Sequence, residues 1–360
     1  MLIAQTVLAV LLLAITVLPF LPIAHGIVRM GEFPRQQILI LALICFAISL
    51  TPNGILFDTW FFAILFGAVA LFQARFIAEF TRFWPKSSKS FDPAIDHGER
   101  FRLVASNVKM SNRDYAAHIR MIEQSDPDIL IMAEVDEAWL KGMAPIRERY
   151  SYRVEQPQDN AYGMLLWSKY RLDDASKQDL LTKGVPSIMA TVVLADHSRF
   201  RLYAIHPEPP VPNHGTEGRD GELSLIAMTT RDEKGPVIVT GDLNDVAWSK
   251  TTRRFRRISG LLDPRIGRSM INTFDARFWF MRWPLDHLFH SGQFRLIDMH
   301  RLEPCGSDHF PVQFDLVLCD HEEPAGEEDE ADGADIERAR DLIQQAAKRQ
   351  DEPIGADWEK

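Results

Sequence analysis

Cysteine is scarce, with only Cys45, Cys305 and Cys319 in 360 residues. No CxxC pair occurs, so the sequence encodes neither a disulfide framework nor a thiolate zinc site. Cys305 and Cys319 flank one predicted strand, and a bridge between them would need the ends of that strand to meet. Charge is sparse in residues 1–76, which are mostly apolar. A basic excess is missing from the middle of the chain, where residues 97–319 carry 29 Lys+Arg and 30 Asp+Glu. That balance excludes the strong basic stripe of a duplex binder. The formal charge of −10 belongs to residues 320–360, which carry 5 Lys+Arg and 15 Asp+Glu. An acidic tail says little about what the neutral part binds. No internal repeat is present.

What the first 76 residues hold instead is length and hydrophobicity. Leu2 to Ala24 is uncharged and long enough, at 1.5 Å per residue, to cross a bilayer core of roughly 30 Å. A signal peptide is the rival reading, but no Lys or Arg precedes the run and further apolar runs follow it. Ile38–Leu50 and Leu56–Phe72 are the next two runs, with Thr51-Pro52-Asn53-Gly54 between them as a tight turn. About three spans are expected over residues 1–76, so a multi-pass protein of the cell (inner) membrane. Two spans and a re-entrant piece are the alternative. Basic residues follow the first run (Arg29, Arg35) and the last (Arg75, Arg82, Lys86, Lys89). With three spans, the positive-inside rule places the globular part on the cytoplasmic side. Residues 77–97 read as a linker, and 320–360 as a disordered tail with a transient helix over 334–348.

Residues 98–319 alternate strand-length apolar runs with helical spacing. Strands are expected at Phe101–Val108, Asp128–Ala133, Tyr162–Trp167, Ser187–Leu194, Arg199–Ile205, Pro236–Thr240, Leu285–His290, Phe294–Met299 and Phe310–Leu318. Helices are expected at Arg113–Gln124, Gly221–Thr230 and Ser249–Ser259. Mixed runs of this kind predict an α/β fold, with two packed mixed β-sheets flanked by helices in a four-layer α/β sandwich, preceded by transmembrane helices.

Several of these strands end in a polar residue that the strand does not need. They are Asn107, Glu134, His206, Asp242 with Asn244, Asp286, and Asp308-His309 just before the last strand. Loops converge at strand ends, where sites form. Carboxylates with Asn are hard oxygen donors suited to Mg²⁺, and histidines beside carboxylates suit proton transfer or charge stabilisation. Arg253 to Arg257 form a basic cluster with one Phe inside it. A solvated face is the bland reading, with phosphate-backbone or anionic-lipid contact by Arg253 and Arg254 as the sharper ones. Trp248, Phe278, Trp279, Phe280 and Trp283 are either core or an apolar rim near the site. His287 and His290 are set aside as supporting or surface residues.

Ser106-Asn107-Val108, Ala133-Glu134-Val135, Ile205-His206, Gly241-Asp242-Leu243-Asn244, Pro284-Leu285-Asp286-His287 and Ser307-Asp308-His309 together resemble the endonuclease/exonuclease/phosphatase superfamily, in its order and over about residues 100–319. The resemblance implies a metal-dependent hydrolase of phosphate esters using Mg²⁺, with Mn²⁺ as the substitute. It implies Glu134 as the principal metal ligand beside Asn107, with Asp308 at a second metal. Asp242 and Asn244 would position and deprotonate water, Asp242 serving as base or as ligand. His309, held by Asp286, and His206 would face the phosphate. Lys109 stands where many relatives carry an acid, and Ala133 where many carry Gln. Lys109 is thereby a candidate phosphate contact. Two substrate classes follow, nucleic acid and a phospholipid headgroup, with the lipid bilayer as the other partner and no protein partner inferable. The function expected is a nuclease-like phosphodiesterase tethered to the membrane. A phospholipid phosphodiesterase or phosphoinositide phosphatase is the alternative, and a non-catalytic membrane scaffold the third.

Overall fold

The structure, a computed structural model, describes residues 2–51, 60–321 and 330–358. The turn expected at 51–54 lies mostly outside the described residues.

Eleven strands form two mixed sheets among the described residues. The first sheet holds β1 (Gly98–Asn107), β2 (Ile129–Ala133), β3 (Tyr152–Gln156), β4 (Met164–Ser168), β10 (Phe294–Arg301) and β11 (Val312–Cys319), in the order β10-β11-β1-β2-β4-β3. The second holds β5 (Arg171–Asp179), β6 (Pro186–Val193), β7 (Arg199–Ala204), β8 (Val237–Asp242) and β9 (Asp286–His290), in sequence order. The sheets pack face to face through Phe101, Leu103, Ile131, Leu166, Ile188, Leu202, Ile238 and Leu316. Alternate residues point the other way. Val104, Leu130 and Trp167 bury against Met121 and Ile122 of α5 (Tyr115–Ser125), Trp139 of α6 (Glu137–Gly142) and Ile146 of α7 (Ala144–Arg147). Tyr203, Val239 and Phe289 bury against α8 (Glu217–Arg231) and α9 (Lys250–Ser259). Burial on both faces explains why the central strands read as unbroken apolar runs. The edge strands β3 and β5 escape a sequence reading because exposed edges carry polar and charged residues.

Pairing sets the register of the site. β1 runs parallel to β2 with Asn107 opposite Ala133, and β8 runs antiparallel to β9 with Asp242 opposite Asp286. β7 runs parallel to β8 with Ala204 opposite Thr240. Parallel pairing brings the ends of β1 and β2, and those of β7 and β8, to one edge of the sandwich.

The N-terminal helices α1 (Leu2–Val17), α3 (Arg35–Ser49) and α4 (Trp60–Ile77) join through Ala9, Leu12, Ile38, Ala42, Phe62 and Phe66. Among the described residues, two helical stretches, Ile3–Phe20 and Trp60–Phe80, are long and apolar enough to cross a membrane. The 15 residues of α3 fall short of that length.

Two expectations from sequence are corrected. Residues 77–97 are no loose linker. Phe80 is buried against Trp248, Glu79 pairs with Arg256, and Ser88 Oγ meets His290 Nε2 at 2.7 Å. The backbone of Lys89 and Phe91 bonds to Leu296, and Asp96 pairs with buried Arg295. A Pro-Lys-Ser composition signals solvation, but here tertiary partners take up its polar groups. The short helix α2 (Gly26–Met30) is fixed likewise, with Arg29 bonding Asp220 at 2.7 and 2.9 Å. The described part of the acidic tail is ordered as α10 (Gly333–Ala347). It buries Ala339, Leu342 and Ala346, and Arg257 bonds Asp335 at its start. Acidity suppresses the hydrophobic signal of that stretch, while Ala339, Leu342 and Ala346, at helical spacing, fall on one face.

Candidate active site

The six expected loops meet. The Asn107 side chain, at the end of β1, donates to Glu134 Oε1 at 2.7 Å and to Asp242 Oδ2 at 3.0 Å, linking the two sheets. Glu134 also accepts from the Met110 backbone N–H at 3.2 Å. Asp242 Oδ1 accepts from the Asn244 N–H at 2.9 Å, while the Asn244 amide donates to Pro207 O. His309 Nδ1 lies 2.8 Å from Asp286 Oδ2, and its Nε2 lies 3.4 Å from Asp242 Oδ2. His206 Nε2 approaches the same oxygen at 3.8 Å. Ser307 Oγ donates to Asn107 O and accepts from the His309 N–H, locking the last loop onto β1.

The backbone here is unusual in the way functional sites often are. Lys109, Glu134 and Asn244 are non-glycine residues in the left-handed region, with φ of 57°, 62° and 51°. Such conformations cost energy and persist only where surroundings enforce them. Gly241 has φ of 138°, and a Cβ there would lie 2.0 Å from Ile205 O. Only glycine lets β8 bring Asp242 this close to the His206 strand.

Electrostatics follow from burial. Desolvation pushes the Glu134 and Asp242 carboxyls above their ordinary range. Burial also opposes ionisation of Asp286, but the adjacent His309 charge outweighs it and holds that carboxyl below the usual value. Burial opposes the His309 cation too, yet Asp286 and Asp242 outweigh it and push its pKa up to about 10. The site therefore holds an imidazolium between two carboxylates. His206 Nδ1 is buried and has no hydrogen-bond partner among the described residues.

Lys109, Glu134, His206, Asp242, Asn244, Asp308 and His309 all line one cavity of about 290 Å³. Asn107 and Asp286 stand just behind it, bonded to its walls. Lys109 Nζ pairs with Asp308 at 2.9 Å, so the residue that departs from the family pattern neutralises an acid of the site. Arg253 and Arg254 are a correction, since neither lines the cavity. Arg253 lies over the Phe76 ring and Arg254 pairs with Asp335 at 3.5 Å, because α9 turns this face toward α4 and α10. The aromatic group divides. Trp248 is core, Trp283 stacks on Phe274 at 6.2 Å, and Phe278, Trp279 and Phe280 are exposed. Sequence reading misses Phe274, whose ring is 4.8 Å from that of His309, and Tyr162, whose ring is 5.5 Å from that of His206. It also misses Ile354 and Trp358 of the tail, which line the same cavity. No local signal marks a residue whose role depends on distant docking.

The Endonuclease/Exonuclease/phosphatase family model matches residues 104–309, from β1 to the Asp308-His309 loop. The chain belongs to the endonuclease/exonuclease/phosphatase family. Members of this family hydrolyse phosphate esters and phosphodiesters. An endonuclease/exonuclease/phosphatase family protein from Bacteroides thetaiotaomicron is similar at 18% identity and a TM-score of 0.51, over 62% of this chain and 99% of that one. TDP2 of D. rerio, solved with a single-strand DNA product, is similar at 14% identity and a TM-score of 0.50, over 61% and 99%. Both likenesses concern the fold. No curated protein matches the chain.

Enzymes of the endonuclease/exonuclease/phosphatase family generally use divalent metal ions, and the residues here fit one. Glu134 and Asp242 are buried carboxylates whose ionisation burial disfavours, so a cation beside them restores the charged form. The donors are oxygens, as Mg²⁺ requires, and the described cysteines lie elsewhere. Asp242, Asp286 and His309 also present one ligand atom each within 4.8 Å of one another. Asp286 and His309 bond each other, as do Asn107 and Glu134. Asp308 is shared by Lys109 and by Arg277 at 3.6 Å, so it would exchange those cations for a metal.

Proposed function

We propose that this protein is a membrane-tethered, Mg²⁺-dependent phosphodiester hydrolase of nuclease-like type. The observation that carries the reading is His309 standing between Asp286 and Asp242, within the cavity that Glu134 also lines. Glu134 and Asn107 would hold Mg²⁺, with Mn²⁺ as substitute and Asp308 at any second ion, and the bound ion would supply Lewis-acid polarisation of a phosphoryl oxygen. Asp242, raised by burial, takes the proton of the attacking water, which Asn244 helps to orient. His309 keeps its proton at both ring nitrogens and places positive charge against the developing phosphoryl oxyanion, with Asp286 fixing the ring. His206 faces the phosphate from the opposite strand, and the Lys109 ammonium adds positive charge at the mouth.

Tethering is supported by the N-terminal bundle, whose outer side chains, including Val10, Ile40, Leu43, Ile64 and Leu71, are apolar and exposed. With three passes, the basic residues at 75–89 put the hydrolase domain on the cytoplasmic face.

A lipid headgroup is the second reading, favoured by one loop. Phe278, Trp279 and Phe280 are exposed, Trp279 by 83%. Their loop hangs from Phe274, beside His309, and Gln37 at the start of apolar α3 donates to Phe280 O at 3.0 Å. Aromatic side chains at the base of an apolar helix suit a headgroup region.

A substrate panel separates the readings. Purified full chain with Mg²⁺ or Mn²⁺ is assayed on single-stranded DNA, duplex DNA, RNA, sphingomyelin, phosphoinositides and an aryl phosphodiester, with His309→Ala as control. Turnover of nucleic acid above all else is expected. Turnover of lipid alone overturns the nuclease reading in favour of the second. Failure on every substrate, without Mg²⁺ binding by calorimetry, leaves the scaffold.

A further inference from the structure

The end of the acidic tail reaches the catalytic cavity from outside the matched segment 104–309. Ile354, Gly355 and Trp358 line it together with Lys109 and His309. Their seating is built into the domain. Glu208, buried and two residues after His206, receives the Arg349 guanidinium at both carboxylate oxygens and the Ile354 N–H at 2.9 Å. The Tyr162 hydroxyl donates to Ile354 O, and Tyr162 itself lines the cavity beside His206. Helix α8 carries two glycines facing this tail. A Cβ at Gly218 would lie 1.9 Å from Glu208 Oε2 and 2.1 Å from Arg349 Nη1. A Cβ at Gly221 would lie 2.5 Å from the Ala346 Cβ and 2.9 Å from Leu342 O. Glycine weakens a helix interior, and here both positions leave room for the tail.

We propose that residues 349–358 form a substrate-selecting wall of the catalytic cleft. The inference rests on the hydrolase reading above and names its substrate class. A cavity of about 290 Å³ sits at the small end of ligand sites. It takes a phosphoester whose group on the tail side is compact, such as a strand end or a single headgroup. A polymer strand running on past the scissile phosphate meets Ile354 and Trp358. Trp358, exposed by 59%, offers a flat apolar surface at the mouth. An acidic segment on this side also repels a second phosphate, which favours one phosphorylated end over a continuous backbone.

The test compares three full-length or near full-length proteins: the natural chain, a chain stopped after Lys348 so that α10 is kept, and Trp358→Ala. Substrates are bis(p-nitrophenyl) phosphate and closed circular single-stranded DNA. Hydrogen exchange is followed at residues 160–163 and 206–209. Truncation is expected to speed exchange in both segments. It should raise KM for the compact diester at least fivefold with kcat within about twofold, and raise kcat/KM on the circle at least tenfold relative to the diester. Trp358→Ala, which removes only an exposed side chain, is expected to reproduce the KM change in part. Unchanged exchange, or hydrolysis with unchanged KM and an unchanged circle-to-diester ratio, overturns the wall and leaves the hydrolase reading intact. Faster exchange with no hydrolysis by any form sinks the hydrolase reading, and substrate selection with it.

Discussion

Asp286 holds His309 through a 2.8 Å contact to Nδ1, on the ring side away from Asp242. The pair fixes both the orientation of the imidazole and its charge. Asp286→Asn keeps the shape and removes the charge, so kcat should fall about 10²–10³-fold. The pH profile carries the sign. His309 is protonated below a pKa of about 10, so activity that needs the cation is lost as pH rises through that value. Without the Asp286 charge this alkaline limb should move toward neutrality. A pH–rate profile with an unmoved limb would rule out the charged role.

Glu134 is expected to govern metal affinity. Calorimetric titration of Mg²⁺ should show binding weakened at least tenfold in Glu134→Ala, with an unaltered melting profile in the absence of metal. Because burial raises the Glu134 carboxyl, binding at mildly acidic pH should also release protons. Equal affinity in mutant and natural protein would displace Glu134 from the metal.

Asp220 lies buried between Arg29 and Arg219. Asp220→Ala leaves two guanidinium groups without their shared carboxylate and should destabilise the chain by about 3–5 kcal/mol. Arg29→Met should cost less, since Arg219 still serves Asp220. Thermal melts in detergent should rank the variants in that order. A melting temperature unchanged by Arg29→Met would mean that α2 does not dock in solution as it does here.

Acid should weaken the fold through two buried histidines outside the site. Burial lowers the pKa of His118, packed on Trp139, and of His290, bonded to Ser88, to about 4 each. In the unfolded chain both titrate near 6.5. Above that pH their contribution to stability is whole. As pH falls toward 4 the unfolded chain takes up protons that the native chain does not, and stability drops. The loss is on the order of 3 kcal/mol per histidine. His118→Gln should flatten the fall of melting temperature between pH 6.5 and 4, and an equally steep curve would remove His118 from the account.

The central strands are legible in sequence because each is buried on both faces and ends in a polar residue with no structural use. Asn107, Glu134, Asp242 and His309 stand out on that ground, and they do converge. Arg253 and Arg254 mislead because a cationic helix face looks alike in sequence whether it meets phosphate, a phenyl ring or an aspartate. The linker and the tail mislead for a related reason. Polar composition reports solvation of an isolated segment, and Ser88 or Arg349 finds its partner only after His290 or Glu208, far along the chain, is in place. Tyr162, Phe274 and Trp358 enter the site by the same route.

The docked segments that follow the apolar helices give this protein a stiff neck. With Phe80, Ser88 and Arg29 all bolted to the hydrolase body, the catalytic mouth cannot swing on a leash to sample the surrounding volume. On the anchoring proposed above, it stands at one height and one tilt over the bilayer, and its catch is limited to what drifts beneath that fixed vantage.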